Sequence, residues 1–193
     1  MGVSLHLKTC IKLLKDLVKF LSASSILGLN IQNLLQKRGT DMKVRIKCSL
    51  SHPILTKNIA QKAKLLLSAL DLANTELSIV LVNDEEMKLL NQQYRHKDVP
   101  TNVLSFSMHE GNTQGINPDL LGDIVISLET AQREAVECGF SLEEMIDFYL
   151  IHGLLNLLGC YSNDPEHEKK MRQLWRVLKH QPYWEEQNGK VSS

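Results

Sequence analysis

Ser141-Leu-Glu-Glu-Met-Ile-Asp-Phe-Tyr-Leu-Ile-His-Gly-Leu-Leu-Asn-Leu-Leu-Gly159 decides how this chain folds. Ser141 followed three residues later by Glu144 is a capping box, in which serine and glutamate satisfy each other's helix-end amides. The helix that it opens, Leu142 to Leu158, is apolar almost all round after its first turn. That pattern belongs to a helix buried in a core. Gly159 ends it. The next helix, about Glu166 to His180, presents Met171, Leu174, Trp175 and Leu178 as its inner face. Upstream, Ser127 caps a helix that runs to about Cys138 and stops at Gly139.

Further out, short strands alternate with helices. Lys43-Val-Arg-Ile-Lys-Cys48 alternates basic and apolar residues, as a strand with one wet face does. Thr56 to Leu72 reads as a helix with Ile59, Ala63, Leu66, Leu67 and Leu70 on one side. Glu76 to Val82 reads as a strand. Asn83 with Glu86 opens a helix to about Arg95. His96 to Pro100 is a loop, Val103–Phe106 a strand, and Ser107 to Asp119 a Gly-, Asn- and Pro-containing loop. Ile124-Val-Ile126 is a short strand. About four strands against about six helices predict an α+β or irregular α/β domain.

With 193 residues, of which 43% are hydrophobic and 23% charged, the chain is one ordinary domain with an appendage. The formal net charge is zero, so no global field draws it to nucleic acid or membrane. The charge is uneven, however. Residues 1–40 carry Lys8, Lys12, Lys15, Lys19, Lys37 and Arg38 against Asp16 alone. In this basic segment Leu7, Ile11, Leu14, Val18 and Leu21 recur at helical steps. Three readings fit it: a helix that docks on the domain or a membrane surface, an organelle presequence, or sequence upstream of a start at Met42. The organisation read here is a basic amphipathic extension at 1–41, a domain at 42–180 and a flexible tail at 181–193. Cys10, Cys48, Cys138 and Cys160 are scattered, with no C-x-x-C pair. They read as reduced thiols of a cytoplasmic protein. No apolar run is long enough to span a bilayer.

His152 and Asn156 lie at i, i+4 on one face of the buried helix. Two histidines so spaced can share a metal ion, but here only the first is histidine, and a lone buried His is more often a core residue. The surrounding words sharpen this. Leu90-Asn-Gln-Gln-Tyr-Arg-His-Lys-Asp-Val-Pro-Thr-Asn-Val-Leu-Ser-Phe106, Leu121-Gly-Asp-Ile-Val-Ile-Ser127 and His152-Gly-Leu-Leu-Asn-Leu-Leu-Gly159 together resemble the YbeY family over about residues 42–180. The resemblance implies a zincin-like single domain, α+β, with a small mixed sheet packed by helices. It also implies a single-strand-specific metallo-endoribonuclease of 16S rRNA maturation and ribosome quality control. Its metal would be zinc, its partners single-stranded rRNA and the ribosome or ribosomal proteins.

The family's metal word is similar to H-G-x-L-H-L-x-G-Y-D-H. His152 matches the first ligand, while Asn156 and Ser162 stand where the other two histidines belong. An amide oxygen is a poor zinc ligand. Asp164 and His167, just beyond, are substitute candidates; the expectation is that both sit at the solvated start of the last helix, where an acid suits the helix dipole. Arg95 matches the family's arginine beside a tyrosine and would grip a phosphate oxygen, with Lys97 adding attraction. Gly122 would serve backbone geometry, and Asp123 would order the turn into the strand and support the site. A catalytically impaired, metal-free RNA-binding or ribosome-assembly factor is the alternative. A metalloprotease is disfavoured, because Gly153 stands where H-E-x-x-H needs its glutamate.

Overall fold

A computed structural model describes residues 43–48, 53–72, 74–108 and 119–179. The elements run β1 (Val44–Cys48), α1 (Pro53–Ala69), β2 (Glu76–Val82), α2 (Asp84–Arg95), β3 (Val103–Ser107), β4 (Leu120–Ser127), α3 (Leu128–Cys138), α4 (Leu142–Leu157) and α5 (Pro165–Lys179). The sheet order is β1-β2-β4-β3. β1 and β4 both pair parallel to β2, and β3 runs antiparallel to β4 at the sheet's edge. This is an α+β domain with a four-stranded mixed sheet. The expected extension at 1–41 and the tail at 181–193 lie outside the described residues.

Period-two alternation sends each strand's side chains to opposite faces. Leu77, Ile79, Leu81, Val103, Ile124 and Ile126 join the larger core with α1, α3, α4 and α5. Val80, Val82, Leu104, Phe106 and Val125 pack on the other face against Met87 and Leu90 of α2. No described helix is long and apolar enough to cross a membrane. Among the described residues, Cys48, Cys138 and Cys160 form no disulfide.

The caps read from the sequence are present at Asn83, Ser127 and Ser141. β4 differs. It spans eight residues rather than the three of Ile124–Ile126, because pairing with β2 and β3 on both sides carries the ladder back through Gly122 and Asp123. Asp123 therefore lies within a strand, opposite Ser78 and Phe106, and not in a turn before one. α1 begins at Pro53, three residues earlier than expected. Proline suits the first helical position, where its missing amide has no acceptor to serve.

α4 is buried along nearly its whole length, and it brings a carboxylate with it. Asp147 is 1% exposed. Lys62 of α1, 4% exposed, meets both of its oxygens at 2.8 and 2.9 Å and reaches Glu143 at 2.8 Å. The ion pair lets two helices meet around a charge that would otherwise be stranded in the core. Breaking one side of such a pair costs about 3–5 kcal/mol. Lys62→Met is therefore expected to lower unfolding free energy by about that amount in urea titration, and adding Asp147→Leu should recover most of it.

Candidate metal and phosphate site

His152 sits in the second half of α4, half-buried, one turn before Asn156. The close approach of this helix to the sheet depends on Gly153: a Cβ there would lie 2.8 Å from Ile124 Cγ2. At the C-terminal end of α4, Ser107 Oγ of β3 donates to the Leu157 carbonyl at 3.3 Å. The same corner holds Gly122, whose φ of +146° is rarely open to side chains. A Cβ on Gly122 would meet the Phe106 carbonyl oxygen at 2.2 Å and Leu157 Cδ2 at 3.0 Å. Gly122 is thus where edge strand, central strand and the end of α4 converge.

His167 is the residue that sequence reasoning misplaced. It is 3% exposed, not solvated. Its ring lies 5.1 Å from that of His152, centroid to centroid, at 75° between planes. The misreading has a traceable cause. Position 167 falls one turn before Met171 on the helix's inner face, so the signal lay in the spacing, but the residue was judged by its place in the first turn. Burial pushes the His167 imidazole toward its neutral form; Asp164 opposes that and Lys170 reinforces it. Its Nε2 is buried and, among the described residues, makes no hydrogen bond. A buried polar atom without a partner costs about 1–3 kcal/mol, so this atom is suited to a ligand.

The separation of the two rings matches that of two imidazoles on one ion. Imidazoles bound to one tetrahedral metal at about 2.0 Å per bond hold their centres roughly 5 Å apart. The Asn156 amide is the next donor on His152's face of α4. The other candidates separate. Asp164 caps α5, accepting from the Glu166 amide at 2.8 Å, with Pro165 as first helical residue. Ser162 is exposed. Among the described residues, no three His, Cys, Asp or Glu side chains gather as a metal cluster.

Arg95 is exposed and closes α2, where the helix dipole favours a cation. His96 follows in the left-handed conformation, at φ 57°, and turns the chain. Lys97 is also exposed. The loop they belong to is fastened down. Asn91 Nδ2 donates to the Val99 carbonyl at 2.7 Å, and the Lys97 amide donates to the Asn91 carbonyl at 3.3 Å. Asn102 Oδ1 accepts from the Val103 amide at 2.9 Å, and its carbonyl accepts from the Ser127 amide at 3.0 Å. The cations therefore stand on a rigid frame that leads directly into β3.

Comparison with known proteins adds the following. A family profile described as endoribonuclease YbeY matches residues 29–181. A protein of Geobacter metallireducens named endoribonuclease YbeY is 42% identical over 123 residues, covering 64% of this chain and 81% of its own. One from Aquifex aeolicus with the same name is 44% identical over 134 residues, covering 68% and 87%. The solution structure of a Thermotoga maritima protein superposes with a TM-score of 0.56 at 24% identity, over 78% of this chain and 97% of that one.

Adding a methyl group at Gly122 should disturb this corner more than most surface changes. Gly122→Ala forces a backbone contact and a strained φ together, with strain alone costing about 1–3 kcal/mol. Thermal unfolding should shift down accordingly, and by more than for Gly139→Ala, where a Cβ meets nothing within 4 Å.

Proposed function

The chain belongs to the YbeY family of endoribonucleases, and on that premise we propose that it hydrolyses single-stranded RNA at a divalent metal held by His152 and His167. The observation that carries this reading is the buried imidazole of His167 lying against His152, with the His167 Nε2 unpartnered among the described residues. Where its relatives' word has a histidine at Asn156, this chain has an amide oxygen, a weaker donor. His167 supplies the second imidazole from a different element. The neutral form that burial favours is also the form that ligates metal.

A divalent ion held by His152 and His167 would supply a water activated at neutral pH. The chain's own residues do the rest. Arg95 holds a phosphate oxygen bidentately and offsets the charge that develops on it. Lys97 adds attraction along the strand. Gly122 and Asp123 keep β4 against β3 beside the end of α4. Zinc is the metal we favour, since two imidazoles suit it. 16S rRNA maturation and ribosome quality control in the cytoplasm are the setting we favour, with rRNA and the ribosome as partners. The domain proper is taken as 42–180.

A second reading, an RNA-binding or ribosome-assembly factor without metal, is favoured by Asn156 and the exposed Ser162 at two ligand positions. Elemental analysis of the purified full chain separates the two. About one equivalent of zinc or another first-row metal is expected in the wild type, and much less in His152→Ala and in His167→Ala. Asn156→His should tighten binding by adding an imidazole to the face of His152. RNA binding in a protein that holds no metal, before or after zinc is supplied, would decide for the second reading. On a single-stranded RNA substrate, Arg95→Ala should slow cleavage on the order of 10²-fold, and chelation should abolish it.

A further inference from the structure

Tyr94 stands beside the proposed phosphate-binding arginine and is not used by the function above. It is 55% exposed. Its ring meets Phe106 of β3 edge to face, with centroids 4.7 Å apart and 61° between planes. That contact fixes the ring's position while more than half of the residue remains open to solvent. Gln92, Gln93, Arg95, His96 and Lys97 are all exposed too.

Its surroundings are cationic and rigid. Arg95 and Lys97 follow it closely in the chain and are both exposed, and the Asn91 bonds hold the loop that carries Lys97. Beneath it, Phe106 lies in β3, the edge strand of the sheet among the described residues. The next residue, Ser107, bonds the end of the helix that bears His152 and Asn156. The edge strand thus touches both the aromatic ring and the helix that bears His152. A flat apolar surface close in sequence to two exposed cations suits a strand in which base and phosphate alternate.

We infer that Tyr94 is a stacking platform for one unpaired nucleobase of the RNA, whose adjoining phosphates are held by Arg95 and Lys97. The inference rests on the proposed RNA-cleaving function and adds to it a physical basis for single-strand preference. Inside a duplex both faces of a base are covered by its neighbours. Only an unpaired base can leave the stack and lie on the tyrosine.

The test is fluorescence anisotropy of the full chain with two labelled ten-nucleotide probes. One is a 2′-O-methyl oligoadenylate, and the other is an abasic oligomer of the same backbone. Tyr94→Leu keeps apolar packing on Phe106 but removes the ring. It should weaken the oligoadenylate about tenfold and leave the abasic oligomer unchanged. Tyr94→Trp should bind the oligoadenylate at least as well as the wild type, and Arg95→Ala should weaken both probes. Equal loss on both probes in Tyr94→Leu overturns the stacking role. So does wild-type affinity in that variant. If the wild type cleaves single-stranded RNA while Tyr94→Leu binds normally, the inference falls and the functional reading stands. If the wild type binds neither probe and cleaves no single-stranded RNA, both fall.

Discussion

A charged side chain can enter a protein core only with its counterion, and the Lys62–Asp147 pair is how α4 enters this one. The helix is enclosed by β3, β4 and three helices, and its sequence is apolar enough to make that enclosure favourable. Asp147 is the exception, and without the ammonium of Lys62 its burial would cost several kcal/mol. The pair fixes α1 against α4 at one place along both helices. It thereby sets how far α4 extends toward the edge of the sheet, where His152 and Asn156 are carried. The corresponding approach on the sheet side is set by Gly153, which lets the helix backbone come close to Ile124.

The far end of α4 meets a second constraint. Gly122 permits the Phe106 carbonyl, the β4 backbone and Leu157 to share a space that no side chain could join. This draws edge strand and helix together. The edge strand also joins two elements that carry candidate chemistry. Ser107 bonds the end of α4, which bears His152, and Phe106 meets the ring of Tyr94 near the end of α2. Asn91 holds the loop that follows.

The substitutions at Asn156 and Ser162 acquire a different meaning in three dimensions. Read along the chain, they leave a metal word with one imidazole. Read in space, a second imidazole stands beside the first, delivered by α5 instead of α4. That arrangement needs α5 to begin where it does. Asp164 caps its first turn and Pro165 starts it, which directs position 167 inward with Met171, Leu174 and Leu178.

Much of this was legible from local chemistry. Capping residues, alternating strands and the apolar run of 142–157 express preferences that act over a few residues, so Asn83, Ser127, Ser141 and Gly139 could mark their helix ends before any contact was known. The words around Arg95, Gly122 and His152 identified the family for the same reason, since they are short and contiguous. What folding alone decided was every relation across the chain: Lys62 meeting Asp147, β4 lengthened by partners on both sides, His167 turned in against His152, Tyr94 set on Phe106. Such pairings depend on how whole elements pack, and the energy that selects them comes from burial shared among distant residues. No single stretch of sequence contains that information.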